Sequence, residues 1–343
     1  MRVAMYYNNR DIRVEEMDLP RPGPDELLVK IEASSICGSD VMEWYRAGKA
    51  PLVLGHEIAG TVFRVGAGVR RFQTGDRVTA THHVPCGCCR LCQTGHETVC
   101  ETLLAKTSFD PGGFAEFVRL PAINVAKGTW KIPDSVSFDE ATFVEPLGCV
   151  VRGQRRCSLS PGASVLVIGS GIAGLLHVKL ATATGMGHVC VSDISAFRRQ
   201  RAIDCGAALA FDAADDVAAL FRQSNNGRGA DAVIVCTSAV AAFTQAMAAV
   251  APGGTILLFA PTGQGVTLPL AVNDLFWRRD VTMTTTYAAG PGDCAVALEL
   301  LARKRVHVTD LITHRFALAD TVKGFGLVAG ADTSLKVVIE PQR

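Results

Sequence analysis

Fifteen residues, CGCCRLCQTGHETVC (86–100), contain five cysteines. Cys86, Cys89, Cys92 and Cys100 are separated by two, two and seven residues. A two-residue gap makes a tight turn whose backbone N–H groups point at thiolate, and four thiolates close a tetrahedral zinc site completely. No position is then left for a substrate, so this segment is expected to staple a loop and do no chemistry. Choosing Cys88 instead gives gaps of one and three, a poorer fit, which makes Cys88 the bystander. His96 reads as an exposed loop residue, and His82 and His83 as strand-end residues without a ligand role. A nucleic-acid zinc ribbon would need two separated cysteine pairs and basic neighbours, which this stretch lacks.

A second set of ligand-type residues is dispersed. SSICGSD supplies Cys37, Ser39 and Asp40; VLGHEIAG supplies His56 and Glu57; FVEPLGC supplies Glu145 inside an apolar run. A catalytic zinc takes about three N, S or O ligands and keeps one position open. Cys37, His56 and Glu145 offer one of each. Singly they also read as a buried cysteine, a turn histidine and a helix-start glutamate ahead of Pro146. A third signal is SVLVIGSGIAGLL, in which Gly169, Gly171 and Gly174 follow an apolar strand and enter a helix through Ile172 and Ala173. Unpaired N–H groups and the positive dipole end at such a helix start suit a pyrophosphate. Asp193 ends the next strand, HVCVSD, nineteen residues past Gly174. A carboxylate there can accept hydrogen bonds from an adenosine ribose and repel a 2′-phosphate, which favours NAD over NADP. Arg198 would lie over the adenine or be solvated.

The elements that must position these residues differ between the two halves. Up to about residue 150, short β-rich runs such as RVAMYY, ELLVKIEA, IAGTVFRV and FAEFVRL are broken by Pro and Gly. From about 161, continuous apolar strands (SVLVIG, HVCVSD, DAVIVC, GTILLFA) alternate with Ala-rich helical stretches, the pattern of a parallel sheet covered on both faces. The chain has 343 residues, 48% hydrophobic and 20% charged, with formal net charge +1. Two domains are expected, and the absence of a basic block argues against a nucleic-acid partner. No run of 18 apolar residues occurs, so no membrane association is expected, and the twelve cysteines read as metal ligands and buried small residues of a cytoplasmic protein.

Together these segments resemble the zinc-containing medium-chain alcohol dehydrogenases, and among them the sorbitol (polyol) dehydrogenase branch. Gly55 to Val69 follows G-H-E-x2-G-x5-G-x2-V, that family's zinc signature, and CGSD, the cysteine segment, EPLG and GSGIAG occur in the family's order. The resemblance implies a GroES-like catalytic domain (1–150, with a return over 289–343), a Rossmann domain (151–288) and an active site in the cleft between them. It further implies a catalytic zinc at Cys37, His56 and Glu145, with Glu57 beside the metal or exchanging onto it, and a structural zinc at the four-cysteine lobe. The metal would lower the pKa of a substrate hydroxyl, and hydride would pass to NAD. Ser39 matches the hydroxyl that relays the departing proton. The chain departs from the family at Met42, where a histidine commonly continues that relay, and Glu43 has no readable direction. Some branches use a cysteine as third ligand; counted back from Gly169, Glu145 and not Cys149 falls at the ligand position. A homodimer or homotetramer built partly near DVTMTTTY is also implied. Trp44, Tyr45 and Arg46 could line a substrate cleft, although for Arg46 and Lys49 a solvated charge is the simpler reading. Two alternatives share these motifs: a threonine-type amino-alcohol dehydrogenase and an NAD-binding protein without catalysis.

Overall fold

Strands fill the N-terminal part of the chain: β1 (Arg2–Asn8), β2 (Asp11–Glu16), β3 (Leu27–Ser35), β4 (Leu52–Val53), β5 (Glu57–Val65), β6 (Arg77–Ala80), β7 (Phe117–Leu120) and β8 (Thr129–Lys131). The central part carries β9 (Ser164–Ile168), β10 (His188–Asp193), β11 (Leu209–Asp212), β12 (Ala230–Val235), β13 (Val250–Leu258) and β14 (Thr282–Thr285). After the helix Pro291–Ala302 come β15 (Ile312–Ala317) and β16 (Lys336–Glu340). This computed structural model describes every residue except Pro269. The chain divides into two units, Met1–Cys149 with Ala288–Arg343, and Val150–Tyr287. Among the described residues no helix is long and apolar enough to cross a membrane.

The first unit is β-rich. Its larger sheet runs β15-β16-β3-β5-β6-β8, with β7 also paired to β3, and a smaller sheet runs β2-β1-β4. β3 and β5 are antiparallel, and their register sets Ser35 opposite Glu57; on its other edge β3 pairs with β16, Ser35 opposite Val338. Leu27, Val29, Ile31, Ile58, Val62, Val78, Val118 and Leu120 pack into the core beneath this sheet. Full burial of such aliphatic side chains contributes about 1.5–3 kcal/mol each. The ends of β3, β5 and β16 are therefore held in place where Ser35, Glu57 and Lys336 lie.

In the second unit, every adjacent pair of the order β11-β10-β9-β12-β13-β14 is parallel. In sequence order this is the 3-2-1-4-5-6 arrangement of a doubly wound dinucleotide-binding sheet. Val165, Leu166, Val167, Val233 and Ile234 are fully buried, as continuous apolar strands between two helical layers must be. The chain reverses its winding between β9 and β12, and ligands of such sheets sit at the carboxyl ends of the strands there. The β-rich unit and the parallel-sheet unit make up the α/β fold class expected from the sequence.

Candidate active site

Three chain segments meet at the end of β3. Just past that strand, a turn closes through Asp40 N–H donating to Cys37 O (3.0 Å), while Cys37 N–H donates to Asp40 Oδ2 (3.0 Å). The thiol of Cys37 accepts from Ser39 N–H and from the Ser39 hydroxyl, both at 3.4 Å. His56 precedes β5 and follows Gly55, whose φ of +95° disfavours an L side chain and whose Cβ would stand 2.8 Å from Phe114 N. His56 Nδ1 lies 3.4 Å from Asp40 Oδ1. Burial alone would lower the His56 pKa, but the carboxylate of Asp40 and the thiolate of Cys37 outweigh it and hold it well above the ordinary value.

Glu57 is 1% exposed. Its Oε2 accepts from the Ser35 hydroxyl and from the Lys336 ammonium, whereas its Oε1 is buried with no hydrogen-bond partner. Ligand atoms of Cys37, His56 and Glu57 all lie within 4.8 Å of one another. One sulfur, one imidazole nitrogen and one carboxylate oxygen, with a buried oxygen left unsatisfied, form a donor set that zinc fits.

Glu145, expected to complete that triad, stands in an adjoining group. It opens the helix Val144–Arg156, is 6% exposed, and shares ligand-atom separations within 4.8 Å with His82 and His83. Its Oε1 lies 3.5 Å from His83 Nδ1 and accepts from the Cys149 thiol at 3.4 Å. Burial pushes the Glu145 carboxyl up, but its contact with His83 and the nearby His56 hold it below the usual range. Burial and the Glu145 charge push the Cys149 thiol well up, so Cys149 remains a neutral donor. The rings of His56 and His82 are 4.7 Å apart, which joins the two groups. His82 is driven well below its ordinary value by burial and by His83 and His56. His82 and His83 follow the end of β6, as expected, and the ligand atoms of both lie close to that of Glu145.

Arg46 also departs from expectation. Its side chain is 14% exposed, not solvated, and donates to Ser39 O (3.0 Å) and Ser39 Oγ (3.2 Å), with Asp40 Oδ1 at 3.5 Å. It lines a cavity of about 340 Å³ with Asp40, His56, His82, Ser108 and Phe109. Trp44 and Tyr45 do not line that cavity and are half-exposed; Lys49 rests on the Tyr45 ring, 4.2 Å from its centroid. No motif in the sequence marks Lys336 or Ser35. The available signal was a lone lysine in the apolar run SLKVVIEP.

The cysteine lobe closes on itself. The thiols of Cys86, Cys89, Cys92 and Cys100 lie within 4.8 Å of one another, with separations of 3.8 Å (Cys86–Cys92), 3.5 Å (Cys89–Cys92) and 3.6 Å (Cys86–Cys100). A tetrahedron with Zn–S distances of about 2.3 Å has edges of about 3.8 Å. Backbone N–H groups of Gly87, Cys89 and Cys86 point at Cys92, Cys86 and Cys100 sulfur, as the short gaps require. Backbone donors at Cys88 and Cys89 draw Cys86 down to about 5, whereas burial and neighbouring thiols push Cys92 up to about 12. Such a cluster cannot ionise fully without a cation, and zinc fits it. Cys88 and His96 are exposed. All twelve cysteines are free of disulfides.

In the second unit, Gly169 (φ +90°) turns the chain out of β9 and Gly171 caps the helix Ile172–Ala183. A Cβ on Gly174 would sit 2.0 Å from Gly169 O, so only glycine lets this helix approach the turn. Ile172 and Ala173 form its first, half-buried turn. Asp193 lies against the same turn: Oδ2 accepts from Ser170 N–H (2.7 Å) and Ser170 Oγ (3.1 Å), and Oδ1 from Ser195 N–H (2.9 Å). Its carboxylate thus fixes the glycine turn while staying beside it. Arg198 Nη1 is 3.9 Å from the Cβ position of Gly171, which places the guanidinium over the turn.

Comparison with known proteins gives the family. Residues 23–134 match the alcohol dehydrogenase GroES-like domain, and residues 173–303 the zinc-binding dehydrogenase domain. Sorbitol dehydrogenase of Gallus gallus is 35% identical, covering 92% of this chain and 89% of its own; that of Mus musculus is 34% identical, covering 96% and 93%. Among solved structures, a zinc-binding dehydrogenase from Sinorhizobium meliloti bound to NADP superposes with TM-score 0.87 at 28% identity over 99% of both chains. The 2R,3R-butanediol dehydrogenase of Bacillus subtilis does so with TM-score 0.84 at 25% identity, again over 99% of both. The chain belongs to the zinc-containing medium-chain alcohol dehydrogenases. Within that family it is sorbitol dehydrogenase-like.

Proposed function

We propose that this protein oxidises a polyol or related secondary alcohol with NAD, using a zinc held by Cys37, His56 and Glu57. The observations that carry the reading are the mutual approach of one ligand atom from each of these residues and the buried Oε1 that Glu57 leaves without a partner. Glu145, in the adjoining group, is the carboxylate placed to exchange onto the metal. Cys86, Cys89, Cys92 and Cys100 hold a second, structural zinc.

When bound, the catalytic zinc supplies a Lewis acid that lowers the pKa of the substrate hydroxyl. The chain's own residues do the rest. Asp40 engages His56 Nδ1 and so directs Nε2 toward the ligand position. Ser39 is the hydroxyl that relays the departing proton, accepting it at Oγ as it gives up its own. Arg46 fixes its direction by donating to Ser39 O and Oγ, and a guanidinium cannot accept the proton itself. The Met42 thioether cannot take up a proton at neutral pH either, so the Ser39 hydroxyl passes its proton to water. The glycine turn at Gly169, Gly171 and Gly174, with Ile172 and Ala173 at the helix start, binds the pyrophosphate. Asp193 and Arg198 flank the adenosine, and the Asp193 charge disfavours a 2′-phosphate. The two units serve as catalytic and dinucleotide-binding domains.

Sorbitol and vicinal diols such as butane-2,3-diol are the substrates suggested by the relatives. A threonine-type activity is a competing outcome. Among the described residues, the open edge of β14 beside exposed Tyr287 supports a homo-oligomer, and twelve free cysteines support a cytoplasmic location. NADH formation across a panel of sugar alcohols, simple secondary alcohols, sugar phosphates and threonine tests the function, with zinc content measured in parallel. Zinc-independent turnover, or full turnover in Cys37→Ala, would refute it.

A further inference from the structure

Lys336 is 1% exposed, at the first position of β16, ahead of the buried apolar residues Val337, Val338 and Ile339. Its ammonium contacts Glu57 Oε2, donates to Ile36 O at 3.4 Å and stands 5.7 Å from the centre of the Phe143 ring. Ser35, held opposite Glu57 by the β3–β5 register, donates to the same oxygen. Both partners of the carboxylate thus act on Oε2, and Oε1 has none. A buried ammonium is expensive to desolvate, and a hydrophobic residue of similar size would ordinarily serve a β-strand core as well or better. Its presence calls for a task that a neutral side chain cannot perform.

We infer that Lys336 is a positioning residue for the metal site: with Ser35 it clamps Glu57 Oε2, so that only Oε1 is offered to the metal. This inference rests on the assignment of Glu57 as a ligand. The geometry has an electrostatic consequence. A carboxylate shared with an ammonium gives less negative charge to the metal, so Lys336 keeps the ion more electrophilic and less tightly held than a free carboxylate would. Cys37 and Glu57 together carry two negative charges, which would neutralise a divalent cation; Lys336 restores one positive charge to the assembly. If Lys336 is removed, Oε2 loses its cation and the metal becomes the only positive partner for a buried carboxylate. Metal binding should then tighten, the reverse of the usual result when a ligand's partner is deleted.

The test uses the full-length holoenzyme with cobalt(II) exchanged into the Cys37 site. Its visible d–d spectrum and its loss to a chelator are followed, together with the unfolding temperatures of the metal-loaded and metal-depleted forms. In Lys336→Met the spectrum should change, cobalt loss should slow by about tenfold or more, the scale on which such partners act, and the stabilisation conferred by metal should grow. Lys336→Arg, which keeps the cation, should stay close to the parent. In Glu57→Gln the spectrum should change, and adding Lys336→Met to it should have no further effect on cobalt loss; this double variant leaves no unpaired charge if the single one folds poorly. Cobalt loss from Lys336→Met at the parental rate or faster would overturn the clamp, as would an equal effect of Lys336→Met with and without Glu57. An unchanged spectrum in Glu57→Gln would instead remove Glu57 from the ligand set, a failure of the underlying assignment that the Lys336 variants do not mimic.

Discussion

Replacing Cys92 by serine should unfold one lobe and leave the rest of its unit intact. The lobe has little else to hold it. Its helices, Arg90–Gln93 and Glu101–Ala105, have four and five residues, far below the roughly 12–15 needed for a helix to persist alone in water. Leu91, Val99 and Leu104 are 37%, 42% and 55% exposed, and Leu103 is the one buried large aliphatic of the stretch. A buried leucine contributes about 1.5–3 kcal/mol, whereas a structural zinc binds with about 10–16 kcal/mol. The metal therefore outweighs the lobe's own packing several-fold. Serine at 92 removes one of four thiolates from a set whose neighbours sit at 3.5 and 3.8 Å, and oxygen cannot replace it at those separations. Zinc content should fall by one per chain, and amides of residues 86–105 should lose nearly all protection in hydrogen-exchange mass spectrometry. Amides of β3, β5 and β6 should keep theirs, because the core formed by Leu27, Ile31, Ile58 and Val78 does not include the lobe. Cys88→Ser should change neither quantity. Normal zinc content and normal protection in Cys92→Ser would refute the reasoning.

Three further outcomes are expected. Asp193→Ala should narrow the preference for NAD over NADP and, by freeing Ser170 and Ser195 N–H groups, lower stability by about 1–3 kcal/mol; equal use of both cofactors by the parent protein would contradict the first part. Gly174→Ala pushes a methyl to 2.0 Å from Gly169 O, so NAD affinity measured by calorimetry should fall by about tenfold or more, and overpacking should cost about 1–3 kcal/mol in denaturant unfolding. Glu145→Gln should reduce turnover by about 10–100-fold with the structural zinc retained, whereas Cys149→Ala, which removes only a thiol donor to Glu145, should cost about 1 kcal/mol of stability; selective loss of the catalytic metal in Cys149→Ala would reverse the two assignments.

Features carried by local spacing could be read from the sequence. The lobe is one, because four cysteines within fifteen residues leave their sulfurs few ways to arrange, and the measured separations agree with the tetrahedron expected. The glycine turn is another, since a strand, three spaced glycines and a helix specify a backbone path with no long-range information. Strands rich in β-branched residues were legible for the same reason. β15 was not, because ITHRFA places a threonine, a histidine and an arginine in succession and so breaks the apolar alternation, and it is stabilised as a strand by parallel pairing with β16. What could not be read was set by pairings across long stretches of chain. Glu57 owes its place to a register that sets Ser35 opposite it and to Lys336, 279 residues away. Arg46 resembles a surface charge in sequence because nothing local announces that Asp40 and Ser39 turn back toward it. His82 and His83 gain meaning only when the helix bearing Glu145 arrives against them. The ligand types were thus visible in their motifs, whereas the charges that tune those ligands were not, since a buried lysine or arginine becomes intelligible only once its counter-ion is in place. In this site the charged neighbours meet the carboxylates: Lys336 contacts Glu57 and His83 contacts Glu145. The contacts that separate the two glutamates are consequently set by the tertiary fold, one on a strand and one on a helix, and no spacing rule applied to GHE or EPLG could have assigned them.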